Sequence, residues 1–451
     1  MKHSEIIIIG SSFAGISCAL MAKQLYPNKH ILLIEKESTI GHIPSSLNML
    51  LKQQINELSE KTFINEDTLK ESGVELLLNK EVTDIHSMAK TLSVKSGTIE
   101  EIYQYDRLIL AMGSSSASER ISGSNHKQVL TTKTLEASIN TLKKVEKSER
   151  ILIAGGGQIG LEAAEALTKA NKKVTLVEAF DSLAFKYFDS DMTQQLEERM
   201  LQSGIELHKG RYVKNIQPFE GQLKVGLSQD LELITDNVML AVNFRPNTRL
   251  VESFVECHLD KTIIVDPYLE TSQPDVFAVG DLIRVPYAYT ESDYYLPFVN
   301  NAYISGKVAA INLYRKTTPA PQSLRVVGSQ LFGLYMTSVG LTEQEAMLYY
   351  PIQTTFLEQS FSTEASAKVS IKIMTKKETG QLVGAQIYSD RDILSLADLL
   401  AISINTQMTD EALAFQDRLY YDGEFSVNAC LYEVALKSYQ KRLKEVMLDV
   451  T

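Results

Sequence analysis

Two glycine-bearing stretches, GSSFAG at 10–15 and GGGQIG at 155–160, each stand about twenty residues ahead of an acid that ends a strand-like run, Glu35 and Glu178. Gly155, Gly157 and Gly160 carry the spacing of a phosphate-binding turn. The first glycine permits the turn, the second lets backbone approach a pyrophosphate, and the third seats a helix against a strand. The helix start adds free amides and a positive dipole. Glycine spacing alone is weak evidence, but here it follows an apolar strand, opens a helix and leads to Glu178. A carboxylate at that place accepts the hydroxyls of an adenosine ribose. The following EAFDS brings no arginine to a 2′-phosphate, so the reading is NADH over NADPH.

The first turn is imperfect, because Ser12 stands where the middle glycine belongs, yet Gly10, Gly15 and Glu35 keep their places. Two sites in one chain suggest two different dinucleotides. TSQPDVFAVGD, ending at Asp281, tells them apart: a strand that delivers a carboxylate just before a helix suits a sugar-alcohol hydroxyl, which FAD has and NAD lacks. YDRLILAMGSSS at 105–116 is a second strand ending where backbone can approach a cofactor. FAD is therefore expected at the first turn and the nicotinamide at the second.

Both turns sit in βαβ units: EIIIIGSSFAGISCALMAKQL runs into HILLIEK, and RILIAGGGQIGLEAAEAL into KKVTLVEAF. Lysine-rich NTLKKVEKSER reads as a solvated connection between them. TTPAPQS at 317–323 reads as a linker, with strands such as SVGLTEQEA and AKVSIKIMTKK beyond it and helices around 392–415.

The chain has 451 residues, 44% hydrophobic and 22% charged, the profile of a multidomain soluble globular protein. Its net charge of −11 argues against nucleic acid and anionic membrane surfaces. No apolar run reaches the length of a signal peptide or membrane span. Cys18, Cys257 and Cys430 form no paired motif, which points to a reducing compartment, with the cytoplasm as default, and to no zinc or other metal site. Cys18 reads as a small packed side chain.

GSSFAG, YDRLILAMGS, AGGGQIGLEAAEAL, NFRPNT, TSQPDVFAVGD and LPFVNNAYISGKVAAIN, in this order, resemble the pyridine nucleotide-disulfide oxidoreductase family. The likeness points to the branch of NADH peroxidase, water-forming NADH oxidase and coenzyme A-disulfide reductase. It covers nearly all of 1–315 and continues more weakly in LVGAQIYS and YYDGEFS. The resemblance implies an α/β fold: a discontinuous FAD-binding domain at 1–115 and 245–322, a Rossmann-like NAD-binding domain at 116–244, and an α+β domain at 323–451 that makes a homodimer. By the same resemblance FAD lies against Gly10, Ser12, Phe13, Ala14, Gly15, Glu35, Lys36, Val82, Ala111, Met112, Gly113 and Asp281, with Phe298 near the isoalloxazine. NADH lies on Gly155, Gly157, Gln158, Ile159, Gly160 and Glu178, with Asn243 toward the nicotinamide.

In that branch a redox cysteine follows the first ribose-binding acid by ten residues. Here the count from Glu35 reaches Ser45, and one further step reaches Ser46. Peroxidase and oxidase members also carry a histidine where this chain has Phe13, and many relatives place a mobile aromatic where it has Gln158. Serine has no redox cycle like that of a thiolate. Ser45 and Ser46, after Pro44, read as an N-cap pair, and His42 as a hydrogen-bonded structural residue. Tyr420 and Tyr421 match a family region reaching toward the partner's flavin, or are core aromatics.

The expectation is a homodimeric FAD-dependent oxidoreductase that moves hydride from NADH to the flavin and electrons directly to a small acceptor such as oxygen or a quinone, with no side chain assigned as acid–base catalyst. A coenzyme A-disulfide or peroxide reductase, and a flavin-holding redox sensor, are the alternatives.

Overall fold

The run EIIIIG is apolar without alternation, as a parallel strand covered on both faces must be. In a computed structural model it forms β1 (Lys2–Ile9), with Ile6, Ile7 and Ile8 fully buried. The structure describes residues 1–361, 364–417 and 427–448, so Tyr420 and Tyr421 lie outside the described residues. By contact the chain forms two units: Met1–Ser148 with Val242–Ser323, and Glu149–Ala241 with Leu324–Thr451.

In the first unit β1 leads through α1 (Phe13–Leu25) to β2 (Ile31–Ile34). The short helices α2 (Ser46–Leu51) and α3 (Glu66–Glu71) precede β3 (Glu75–Leu77), β4 (Glu81–His86), β5 (Thr91–Ser96) and β6 (Ile99–Leu110). The strands order as β3-β2-β1-β6-β5-β4. The residues 276–278 form a further strand parallel to β6. Ile34, Ile9, Leu110 and Ala278 fall in one register row across this sheet. The next residues along each strand, Glu35, Gly10, Ala111 and Val279, therefore line one carboxyl edge, where open α/β sheets bind ligands.

Two small strands, β7 (Ser114–Ser116) and β8 (Val129–Leu130), follow, and then α4 (Leu135–Lys147). Lysine-rich 140–147 is thus helix rather than a connection. Thr134 caps it through the Ala137 amide, and Ser138, Thr141 and Val145 bury one face at helical spacing, which the surrounding charges mask in the sequence.

In the second unit β9 (Arg150–Ala154), α5 (Gln158–Lys169), β10 (Lys173–Val177), α6 (Ser190–Gln202) and β11 (Glu206–His208) repeat the plan. The strands β12 (Val213–Phe219), β13 (Gln222–Leu227) and β14 (Glu232–Thr235) form an antiparallel sheet of their own. The following β15 (Asn237–Leu240) returns beside β9, so that β11, β10, β9 and β15 lie in that order. Ala154 pairs with Val177 and Leu240, again setting the next residues, Gly155, Glu178 and Ala241, along one edge.

The chain returns to the first unit through β16 (Phe244–Pro246), β17 (Val276–Ala278), the β18 (Val285–Pro286) and β19 (Asp293–Tyr294) pair, and α7 (Val299–Asn312). At Gly306 a Cβ would stand 2.2 Å from the Ala14 carbonyl oxygen, so α7 and α1 touch backbone to backbone. Residues 317–323 carry no helix or strand, and the Thr317 and Thr318 amides donate to Asn312 Oδ1.

The C-terminal part of the second unit is an antiparallel sheet, β20-β21-β24-β23-β22, made from β20 (Val327–Leu331), β21 (Leu334–Gly340), β22 (Ile352–Phe361), β23 (Glu364–Lys376) and β24 (Leu382–Ser389). SVGLTEQEA is strand only through Gly340. Thr342 and Glu345 make a reciprocal capping box that starts the helix α8 (Glu343–Tyr349) instead. The remaining helices are α9 (Leu396–Asn405), α10 (Asp410–Ala414) and α11 (Val427–Leu448). Among the described residues no helix is long and apolar enough to cross a membrane.

Candidate functional site

The first turn is compressed against the end of β6. Gly10 has φ +104°, and a Cβ there would stand 2.4 Å from the Ala111 carbonyl oxygen. A Cβ on Gly15 would lie 1.9 Å from the Gly10 oxygen. Ser12 needs no such freedom. Its φ of −96° and ψ of −163° are extended, it is exposed, and its hydroxyl makes no cap bond, so the serine leaves the turn intact. Phe13 and buried Ala14 begin α1.

Glu35 is held by backbone. Its Oε2 accepts from the Ser11 amide at 2.8 Å and the Ser11 hydroxyl at 2.7 Å, and its Oε1 from the Glu37 amide at 3.0 Å. Lys36 is exposed beside it. Val82 is buried at the start of β4, two residues beyond Lys80, whose amide donates to the Glu35 carbonyl. Ala111, Met112 and Gly113 continue β6 past its end, and the Met112 carbonyl accepts from Asn247 Nδ2 at 3.0 Å. Gly113, at φ +65°, faces open space where a Cβ would stand.

Asp281 follows Gly280, whose own Cβ position would meet Ala14 and Ala302. Its Oδ2 accepts from the Ser114 hydroxyl at 2.6 Å and lies 3.7 Å from Lys133 Nζ. Lys133 also donates to Ser114 Oγ at 3.2 Å and sits over the Phe244 ring. Nothing local in the sequence marks Lys133, and only the turn of chain before α4 brings it to Asp281. Phe298 is the half-buried N-cap of α7 and accepts the Ala302 amide through its carbonyl.

The second turn repeats the backbone bonds of the first, without a counterpart to the Ser11 hydroxyl bond. A Cβ on Gly160 would lie 1.9 Å from the Gly155 oxygen, and Gly155 has φ +112°. Glu178 Oε2 accepts from the Gly156 amide at 2.5 Å, and Oε1 from the Phe180 amide at 2.9 Å. Gly157, N-cap of α5, faces open space, and Ile159 is exposed beside it. Gln158 is tied by two side-chain hydrogen bonds. Its Nε2 donates to Ser329 Oγ at 2.9 Å and Glu162 Oε1 at 3.2 Å.

Beyond Glu178 the sequence missed two features. Phe180 and Phe185 stack with centroids 3.7 Å apart, and Lys186 lies within electrostatic reach of Glu178. Burial pushes the Lys186 ammonium below its ordinary value, while the Glu178 carboxylate pulls it back up. Asn243 belongs to the first unit, exposed, with its carbonyl accepting the Ala117 amide at 2.7 Å.

The segment at 41–46 is anchored to the first turn: the Gly41 amide donates to the Ser11 carbonyl, and the Phe63 amide to Gly41. The serines there do not cap α2. Ser45, at φ −78° and ψ −3°, makes no side-chain cap bond, because its backbone is already helical. Ser46 is fully buried, and its Oγ has no hydrogen-bond partner. His42 Nε2 faces the Thr132 carbonyl and Ser138 Oγ, and burial lowers its pKa against the pull of that carbonyl.

Each of the three thiols is the reverse of a poised thiolate. Burial pushes Cys18 up to about 12 and Cys430 up to about 11, and raises Cys257 as well. A cavity of about 350 Å³ lined by Arg150, Lys173 and Glu206 opens at the amino ends of β9, β10 and β11, away from the Gly155 turn.

The residues present fit two dinucleotides. Each site has a turn no side chain would fit, open space at Gly113 or Gly157, and a backbone-held carboxylate. A fold with two such cradles is that of an FAD- and NADH-dependent pyridine nucleotide oxidoreductase.

The chain belongs to the pyridine nucleotide-disulphide oxidoreductase family, whose pattern matches residues 4–306. It is 27% identical over 448 residues to an NADH oxidase of Enterococcus faecalis, covering 96% of this chain and 100% of that one. It superposes with a TM-score of 0.86 and 30% identity on the crystal structure of a pyridine nucleotide-disulfide family oxidoreductase from the same organism, over 98% and 100% of the two chains. The water-forming NADH oxidase from Lactobacillus brevis bound to NADH shares the fold, with a TM-score of 0.92 at 24% identity over 98% and 100%.

Proposed function

We propose that this enzyme takes hydride from NADH onto FAD and delivers the electrons straight to a small acceptor, with no sulfur relay. The observation that carries the reading is Ser45, with Ser46 beside it, at the place where the family likeness sets a redox cysteine, together with the raised pKa of all three thiols. When bound, FAD supplies the hydride acceptor and the route for electrons onward.

The chain's own part is to hold and orient. Gly10, Ser12, Phe13, Ala14, Gly15 and Ala111 to Gly113 form the pyrophosphate and ring cradle in this reading, with Glu35 on the ribose and Lys36, Val82 and Phe298 beside it. Asp281 takes a ribityl hydroxyl. Lys133 compensates the Asp281 charge at 3.7 Å and so supports the cradle. Gly155 to Gly160 with Glu178 hold NADH, and Asn243 stands toward the nicotinamide.

The name of the Enterococcus relative supports oxygen as one acceptor. Exposed Met347, Leu348, Ile402 and Phe415 support a homodimer through the C-terminal part. The unpaired cysteines support a reducing compartment such as the cytoplasm.

The test is stopped-flow mixing of NADH-reduced protein with oxygen, comparing the unmutated chain with a variant carrying Cys18→Ala, Cys257→Ala and Cys430→Ala. Reoxidation at the unmutated rate supports direct transfer, and loss of reoxidation in a variant that still binds flavin and is reduced by NADH rejects it.

A further inference from the structure

Three aromatic side chains meet beside the first cradle. Phe13 and Phe63 pack edge to face with ring centroids 4.9 Å apart, and Phe63 and Tyr303 do the same at 6.0 Å. All three remain partly open to solvent. Their placement follows from the fold. Phe13 precedes Ala14 and Tyr303 follows Ala302, the two alanines that close on Gly280 just before Asp281. Phe63 is tied by its amide to Gly41, and Gly41 to Ser11. The rings therefore stand where the flavin turn, the segment at 41–46 and the start of α7 converge. Lys307 Nζ lies 4.0 Å from the Tyr303 centroid, which helps fix that ring.

Among the described residues, the polar side chains of this corner other than Tyr303 and Lys307 are engaged elsewhere. Ser17 Oγ is spent on the Phe13 carbonyl at 2.6 Å. His42 faces Thr132 and Ser138. What the corner offers is ring faces and edges, which attract a flat π-system.

We propose that Phe13, Phe63 and Tyr303 form the subsite for a planar, apolar two-electron oxidant of the quinone class. This rests on the direct-transfer reading above and names its acceptor. Overall, NADH and one proton from solvent convert the quinone to hydroquinone and leave NAD⁺, so electrons and protons balance with no further reactant.

The test compares holoenzyme with Phe63→Ala and Phe63→Tyr, using menadione as acceptor and ferricyanide as a polar, outer-sphere control. Tyr303→Ala serves as a second variant should Phe63→Ala lose flavin. Binding of 1,4-naphthoquinone to the oxidised protein, followed by calorimetry, gives a readout independent of turnover. Removing a ring is expected to raise the menadione KM and the naphthoquinone Kd about tenfold. Ferricyanide turnover and anaerobic reduction by NADH stay unchanged, and Phe63→Tyr restores both values. The subsite assignment is overturned if naphthoquinone does not bind, if menadione parameters are indifferent to the variants, or if menadione and ferricyanide decline together. Failure of NADH to reduce the flavin in the unmutated protein would instead remove the direct-transfer reading, and the assignment with it.

Discussion

The Gly156 amide donates to Glu178 Oε2 at 2.5 Å, and the equivalent bond joins Ser11 to Glu35 at 2.8 Å. Each carboxylate is aimed by backbone, ahead of the ribose it is proposed to take. A second amide, from Phe180 or from Glu37, holds the other oxygen in each case. The ordering cost of the acceptor is thereby met in folding rather than in binding.

In the proposed reading, Glu178→Gln removes the charge that strengthens ribose hydroxyl bonds and repels a 2′-phosphate. Charge-assisted bonds of this type contribute about 1.5–3 kcal/mol. The NADH kcat/KM is expected to fall about tenfold or more, while NADPH changes little, so the preference between them narrows. Steady-state kinetics with both dinucleotides checks this, and an unchanged ratio contradicts it.

Lys133→Met removes the cation 3.7 Å from Asp281 and keeps the Ser114 hydroxyl bond to it. The pair is partly exposed, so its worth is at most about 1 kcal/mol. FAD is expected to bind about fivefold more weakly, measured by titrating apoprotein and following flavin fluorescence. Equal affinity would show that Lys133 is only a surface charge.

Lys372 lies buried in β23 and reaches three carboxylates, Asp189 at 3.2 Å, Asp191 at 2.9 Å and Glu343 at 2.6 Å. Burial acts to lower its pKa, and the bonds to Glu343 and Asp191 overcome this and raise it. Burial likewise acts to raise Glu343, and the bond to Lys372 overcomes it and lowers the value. The Glu343 contribution is therefore present above its ordinary value of 4.5 and is lost as pH falls through the depressed one. The Lys372 contribution is complete below 10.5 and is lost as pH rises through the raised one. Denaturant midpoints should be flat near neutrality and drop at both extremes. Lys372→Met leaves buried Asp189 to the Gln386 side chain and the Glu343 amide, takes the cation from partly exposed Glu343 and exposed Asp191, and should cost about 1–3 kcal/mol at pH 7.

The two strand–turn–helix units and the acids beside them were legible in the sequence because their signals are local: glycine spacing, an apolar strand and an acid at the end of the next strand. Ser12 looked like a defect because spacing cannot reveal that its backbone is extended. The helical face of Ser138, Thr141 and Val145 was hidden among lysines and two of its three members are polar. Ser45 and Ser46 look like caps in one dimension, and only the backbone angles show otherwise. Lys133, Phe63 and Tyr303 reach the site through contacts distant in sequence, for which no periodic signal exists.

Ser45→Cys restores a thiol where the family likeness sets one. After a brief exposure to hydrogen peroxide, the variant should consume one additional NADH per flavin in an anaerobic titration, as a sulfenate is reduced. No additional uptake would place residue 45 out of reach of the flavin.

Anaerobic titration of the unmutated holoenzyme with NADH bears most directly on the absence of a sulfur relay. Complete bleaching of the flavin at one NADH per FAD is the expected end point. Uptake of a second NADH before the end point would reveal a thiol couple and contradict direct transfer.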